Sequence, residues 1–408
     1  MTPDSWIGIP THRSWLDSEA TRLVEFASES EHPVAGFAWL DDRGRPMPKR
    51  PIQAWITARM THVFSLAHLR GTPGAGSLAD HGVAALHGRF RDTEHGGWYP
   101  ELSPDGQPQT TAKRAYEHAF VVLAAASATV ADRPEAAELL EEALSIVDKH
   151  FWQDSEGRCL ESWDREWTKP EEYRGANSNM HFVEAFLAAA DVSGQDRWRE
   201  RALSIAERLI HGAARENAWR LPEHFDPEWR PLLDYNADQR EDAFRPYGTT
   251  IGHWLEWSRL LLHLEASLDS PPPWLYQDAR TLFDAAISAG WAVDGSDGFV
   301  YTLDWEDRPV VRQRLHWVVA EAIGAAAALE QRSSEAVYEH WYRRCWDYAA
   351  RYFIDREGGS WRHELGPDHS PAASVWSGKP DVYHALQATL LPQLPLAPVL
   401  AVTLRQRL

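Results

Sequence analysis

One kind of segment recurs along this chain, an apolar helix with a polar start, and its spacing constrains the fold more than any other feature. Tyr247 to Leu262, YGTTIGHWLEWSRLLL, shows it best. His253 and Glu256 stand three residues apart, so their side chains share one helix face within reach of each other. Trp254, Leu255, Trp257, Leu260 and Leu261 follow, the pattern of a helix buried for most of its length and chemically equipped at one end. Thr249-Thr250 offers it an N-cap hydroxyl. The other instances are RMTH leading into VFSLAHL around His62, RAYEHAFVVLAAA around His118, NSNMHFVEAFLAAA around His181, LHWVVAEAIGAAAAL around His316 and Trp317, and DVYHALQATLL around His384. The anchors are 56, 63, 72, 63 and 68 residues apart, so six units account for the whole chain.

Between them lie charge-rich amphipathic helices, Asp17 to Ser30, Ser77 to Arg91, Pro134 to Phe151, Asp196 to Ala213, Trp274 to Gly290 and Ser334 to Phe353. Each carries one apolar stripe, as an outer helix packing inward does. In the third, Leu139, Leu140, Ala143, Leu144 and Val147 oppose Glu138, Glu141 and Glu142. Asp/Gly turns with strand-like flanks follow most of them, at 92–102, 154–164, 294–304 and 355–365, with a shorter version at Asp41-Asp42-Arg43-Gly44. Such segments read as hairpins. Outer helix, hairpin loop and inner helix, repeated six times, predict an all-α fold: an (α/α)6 barrel of six helical hairpins with short β-hairpins in the loops at one mouth. The competing architecture is an open superhelix of helix pairs. No long linker divides the chain, so 1–408 reads as a single catalytic domain. Parallel inner helices would gather His62, His118, His181, His253, His316 or Trp317, and His384 near one rim.

A net charge of −19 argues against nucleic acid and acidic membranes as partners. Two cysteines, Cys159 and Cys345, are too few for a disulfide framework or a cysteine-based zinc site. No apolar run reaches membrane-spanning length, and MTPDSWIGIPTHRSW lacks a signal-peptide pattern, so a cytoplasmic monomer or homodimer is expected. Tryptophan is abundant, with 21 residues. Some must be core. Others sit beside Gly, Asp or Pro in loops, as in Gly97-Trp98-Tyr99, Glu161-Ser162-Trp163 and Val375-Trp376-Ser377, where a ring can stack on the C–H face of a sugar; Trp376 is a candidate substrate contact.

His253-x-x-Glu256 and His181-x-x-Glu184 match no zinc signature in which two histidines share a helix face, and no Asp-rich loop resembles a calcium site. Neither a metal nor a cofactor is expected. Phosphate-binding loops, dinucleotide fingerprints and nucleophile elbows are absent too. Asn177 and His181 are one turn apart, as a ligand-positioning pair would be, although Asn177 could also cap its helix. Arg59 lies one turn after Trp55 and would pair with a carboxylate or hold substrate oxygens. Tyr116 offers a hydroxyl just before His118. Glu321, one turn after Trp317 on a run of Ala, Val, Ile and Leu, must be paired, neutral or bound to something polar.

The stretches GFAWLDDRGRP (36–46), RMTHVFSLA (59–67), GGWYPEL (96–102), NSNMHFVEAFLA (177–188), FRPYGTTIGHWLEWSRLL (244–261) and WSGKPDVYHALQA (376–388) resemble the N-acylglucosamine 2-epimerase superfamily. Within it they are most similar to the aldose–ketose isomerase branch that includes mannose and sulfoquinovose isomerases. The resemblance implies an (α/α)6 barrel and metal-free proton transfer by two histidines, carried onto His253 and His384. It also implies sugar-binding roles for Arg59, Tyr116, Asn177, His181, Glu256, Trp317 and Glu321, with Arg245 of the FRPYG segment a weaker match. The expected activity is D-mannose to D-fructose, with D-lyxose to D-xylulose beside it, through a cis-enediol. Histidine, with an ordinary pKa near 6.5, suits that step. His384 would carry the carbon-2 proton to carbon 1, and His253, oriented by Glu256, would open the ring; the two roles could be exchanged. The alternatives are 2-epimerisation, sulfoquinovose isomerisation, a glycoside hydrolase using Glu256 with Glu321, and a non-catalytic sugar-binding module.

Overall fold

The periodic segments become helices at the expected places. In the computed structural model, which describes residues 5–408, the α-helices in chain order are α1 (Pro10–Ala27), α2 (Ala54–Leu69), α3 (Ala75–His87), α4 (Ala115–Val130), α5 (Ala136–Ile146), α6 (Ala176–Ser193), α7 (Arg197–Ala206), α8 (Ile251–Ser267), α9 (Trp274–Gly290), α10 (His316–Ser333), α11 (Ala336–Tyr348), α12 (Tyr383–Leu390) and α13 (Leu400–Gln406). The amphipathic class is α1, α3, α5, α7, α9 and α11. Three of these, α5, α7 and α11, run on into π-turns over Val147–Phe151, Glu207–Ala214 and Ala349–Phe353, which carries them close to their expected ends.

Burial follows the two patterns. On α5, Leu139, Leu140, Ala143, Leu144 and Val147 are buried, while Glu138 and Glu141 are exposed. Each such Leu or Val contributes about 1.5–3 kcal/mol by leaving water. By contrast α8 is buried on every side from Ile251 to Leu262, the signature of a helix enclosed by other helices.

The chain divides into two compact units. One comprises Val24–Ile205, Pro380–Tyr383 and Pro398–Leu408. In it α2 packs on α4 and α4 on α6, α3 flanks α2, α5 flanks α4, and α13 lies against α2 and α4. The other comprises residues up to Leu23, Ala206–Lys379 and His384–Ala397. There α8 packs on α10, with α9 against α8 and α11 against α10. Both units are thus built from apolar helices side by side, and α2, α4, α8 and α10 are each flanked by the amphipathic helix that follows.

The loops start the apolar helices. Two extended residues precede each of several of them and pair with the loop of the next repeat: Ile52 with Leu102, Lys113 with Trp163, Thr249 with Leu303, Arg314 with Leu365. The first helical N–H groups then donate to that loop, Ala54 to Pro100 O, Ala115 to Glu161 O, Ile251 to Tyr301 O and His316 to His363 O. This corrects the expected capping role of Thr249-Thr250. Thr250 makes no side-chain cap; its backbone N–H donates to Glu223 Oε1 instead. Thr249 Oγ instead donates to Leu221 O and accepts from Trp254 Nε1. Nor does Asn177 cap α6, being its second residue.

Asp41, Asp226 and Asp304 each turn a second class of loop. Their Oδ1 atoms accept the backbone N–H groups two and four residues on, closing tight Asx turns. No helix among the described residues is long and apolar enough to cross a membrane.

Candidate active site

Counting from each helix start orders the chemistry better than counting between histidines. The second residues of α2, α4, α6, α8, α10 and α12 are Trp55, Tyr116, Asn177, Gly252, Trp317 and His384. The sixth residues of the first five are Arg59, Phe120, His181, Glu256 and Glu321. Residues i and i+4 share a helix face, so each helix presents its pair on one stripe at its N-terminal end.

Within the unit that holds α8 and α10, two buried histidines flank one indole. His253 is 8% exposed and His384 5%. Their ring centroids lie 5.3 Å and 5.7 Å from that of Trp317, tilted by 39° and 37°. Gly252 admits the indole: a Cβ there would come within 2.2 Å of it, closer than any real contact. Where other helices project a side chain at their second position, α8 leaves room for the ring of its neighbour.

Each histidine has its own carboxylate. His253 Nδ1 lies 3.0 Å from both oxygens of Glu223, a residue that is 4% exposed. His384 Nδ1 lies 2.9 Å from Glu321 Oε1. An ionised carboxylate only accepts, so Nδ1 carries the proton in both rings. The partner of His253 is therefore Glu223 and not Glu256, as its spacing had suggested. Glu256 faces α8's own Arg259, whose Nη2 is 3.6 Å away, while Arg259 Nε donates to Glu321 Oε2 at 2.8 Å. The carboxylates a hydrolase would need on either side of a glycosidic bond thus converge on one guanidinium. Glu256, Glu321 and His384 bring ligating atoms within 4.8 Å of one another, a spacing that suits a cation; the cation the chain supplies there is Arg259.

Glu223 escaped the sequence reading because Leu221-Pro-Glu-His-Phe225 lies between repeats. Its signal is nevertheless present, since Glu101, Glu161 and Glu364 stand at matching places in YPEL, CLESW and RHEL. All four serve the start of a nearby helix or loop. Glu101 accepts from Gln53 Nε2, Glu161 from Ser178, and Glu364 from the N–H groups of Ser374, Val375 and Trp376. That last set fixes Trp376, whose ring meets Phe244 edge-on at 5.3 Å. Arg245 is half-buried beside Tyr235, 3.5 Å from its hydroxyl.

Arg59, Tyr116, Asn177 and His181 belong to the other unit. Arg59 pairs with Asp381 at 3.3 Å and donates to Tyr116 Oη at 2.9 Å, and its guanidinium lies over Phe120 and Tyr383. His181 meets Tyr116 edge-on at 5.1 Å. Asn177 Oδ1 is buried with no hydrogen-bond partner among the described residues.

Two of the six anchor histidines are structural. His118 is wholly buried, donates from Nδ1 to Arg114 O at 2.6 Å and accepts the Trp98 N–H at Nε2. Burial pulls its pKa down to about 3. His62 is the ninth residue of α2 and not at its start; it contacts Ser127 Oγ at 2.7 Å, and burial lowers its pKa to about 4. His316 stacks on His363 at 3.7 Å. Trp98, one of the loop rings considered as a sugar platform, is core, with its indole N–H on Leu86 O.

The fold these elements define is the all-α (α/α)6 barrel, matched by a solved structure described as D-mannose isomerase with a TM-score of 0.87, 26% identity and coverage of 94% of this chain and 98% of that one. The model of the N-acylglucosamine 2-epimerase (GlcNAc 2-epimerase) family matches residues 35–388. The chain belongs to that family. Two relatives named D-mannose isomerase are similar over nearly their whole length. The one from Thermobifida fusca is 58% identical, covering 97% of this chain and 98% of the relative; that from Pseudomonas cannabina pv. alisalensis is 52% identical, covering 98% and 97%.

Proposed function

We propose that this chain is an aldose–ketose isomerase that converts D-mannose to D-fructose, with D-lyxose and D-xylulose as a second pair, the whole chain acting as one catalytic domain. The observation that carries the reading is the pair of buried histidines on either side of Trp317, each with Nδ1 held by a glutamate. That arrangement directs Nε2 of each ring to proton exchange with the substrate. The similarity to relatives named D-mannose isomerase supports the choice of sugar.

In the proposed sequence His253 Nε2 serves ring opening, exchanging a proton with the sugar's ring and hydroxyl oxygens. His384 Nε2 then removes the proton from carbon 2. The electron pair forms the carbon 1–carbon 2 double bond of a cis-enediol, held as its monoanion, and the hydroxyl proton of carbon 2 passes through His253 Nε2 to the oxygen on carbon 1. Return of the proton from His384 to carbon 1, as the oxygen on carbon 2 becomes the carbonyl, completes the ketose. Glu321 and Glu223 stabilise the imidazolium formed at each stage. Trp317 offers its face to the C–H side of the sugar.

His253→Ala and His384→Ala are each expected to lower kcat by about 100-fold or more, the scale of a lost general base, while circular dichroism stays that of the wild type. Near-normal turnover in either variant would refute this mechanism.

A further inference from the structure

We infer that Arg259 is a positioning residue for proton transfer, holding the Glu256–Glu321–His384 cluster in the charge state that leaves the His384 imidazole neutral and ready to accept a proton. The inference rests on the isomerase reading above and deepens it.

Arg259 is the ninth residue of α8 and is 2% exposed. Its Nε–H donates to Glu321 Oε2 at 2.8 Å, and the other oxygen of Glu321 takes His384 Nδ1–H at 2.9 Å. A single carboxylate thus links guanidinium to imidazole. Glu256 Oε1 lies 3.6 Å from Arg259 Nη2. Among the charged or titratable groups that this unit sets near His384 are Glu321 and His316 of α10, with Glu256 and Arg259 of α8 beyond Glu321. The His316 ring is 6.4 Å from that of His384 and is held against His363.

With His384 neutral, Arg259 offsets one of the two negative charges of Glu256 and Glu321. Without it the cluster would be one charge more negative, out of water, where like charges raise proton affinity strongly. A proton would then settle on the cluster at neutral pH, and the base would be occupied before substrate arrives. A guanidinium suits the task because it stays charged when buried and its fork reaches two acceptors.

Gly324 gives the second, independent sign that this placement is built in. It is the ninth residue of α10, and a Cβ there would come within 3.0 Å of Arg259 Cδ and 3.3 Å of Leu391 Cδ1. Glycine disfavours a helix interior relative to alanine, so its presence marks room kept for the arginine. Gly324 does for Arg259 what Gly252 does for Trp317.

The test is the pH profile of kcat/KM for D-mannose, whose acid limb reports the free enzyme's base. In R259M the acid limb is expected to move to higher pH by about one unit or more, since one charge a few ångströms away at the interior's effective dielectric is worth about two to three units before water screens it. R259K should fall between R259M and wild type. R259M/E256Q, which loses one cation and one anion together, should return toward the wild-type limb. An R259M limb that superimposes on the wild-type one, with only a lower plateau or Tm, overturns the inference. Removing one partner from a buried ion cluster is costly, so if R259M does not fold, E256Q and R259M/E256Q carry the comparison. The limb should drop below wild type in E256Q and rise by about one unit or more on adding R259M; equal limbs overturn the inference. Wild-type protein inactive on D-mannose at every pH would instead refute the isomerase reading.

Discussion

A histidine at the start of an apolar helix can serve two ends, and what separates them here is what its Nδ1 touches. His118 spends both ring nitrogens on backbone groups, whereas His253 and His384 each spend one nitrogen on a carboxylate. The structural kind has a consequence in acid. Folded His118 has a pKa near 3 against 6.5 for the free side chain, so between those values the unfolded chain binds the extra proton. Stability is therefore full above about pH 6.5 and is lost as pH falls toward the folded value. From pH 6.5 to 5 the contribution of this group falls by about 2 kcal/mol. His118→Gln should accordingly show a smaller acid-induced drop in Tm between pH 7 and 5 than the wild type. An unchanged drop would mean that His118 is protonated in the fold. The residue types at the site were legible because polar groups on an apolar run stand out. Glu223 was not, because it sits in a strand-like loop where a glutamate looks ordinary until the loops are aligned on Glu101, Glu161 and Glu364; its carboxylate's contact with His253 is what sets it apart from them.

Among the elements, α8 and α10 do most to set the site's geometry, and they do so through absent side chains. Gly252 lets the Trp317 indole cross α8 beside His253. Gly252→Ala would favour the helix by about 0.5–1 kcal/mol in isolation, yet it should push the indole aside and lower kcat/KM by about 10- to 100-fold, as small displacements of positioned groups do. In a Trp317→Ala background the same change should cost little, since the ring it displaces is gone. Equal losses in both backgrounds would show that Gly252 acts on something other than Trp317. Helix existence and burial could be read from apolar periodicity, down to the bounds of Trp274–Gly290. The phase could not. Aligning the repeats on histidines mixed first, second, third, fourth, sixth and ninth helical positions, because the loop lengths before each helix differ. The start of each helix is set by pairing with a loop from the following repeat, a non-local contact that periodicity does not encode.

For the whole molecule, the repeat count, the all-α class and the family were open to view in the sequence, since they depend on spacing and on motifs spread over nearly the entire chain. The pairing of each histidine with its own glutamate was not, because Glu223 and Glu321 lie 30 and 63 residues from the rings they hold. The acidic balance of −19 net charges bears on partners and not on chemistry, which rests on a few buried groups. The most direct test of that chemistry is proton NMR of D-mannose incubated with the protein in D2O containing EDTA. Fructose signals should grow in, with deuterium entering at carbon 1 as the histidine exchanges its proton with solvent, and His253→Ala and His384→Ala should abolish both. D-glucose as the sole product, or neither fructose nor deuterium exchange from D-mannose, would contradict the account.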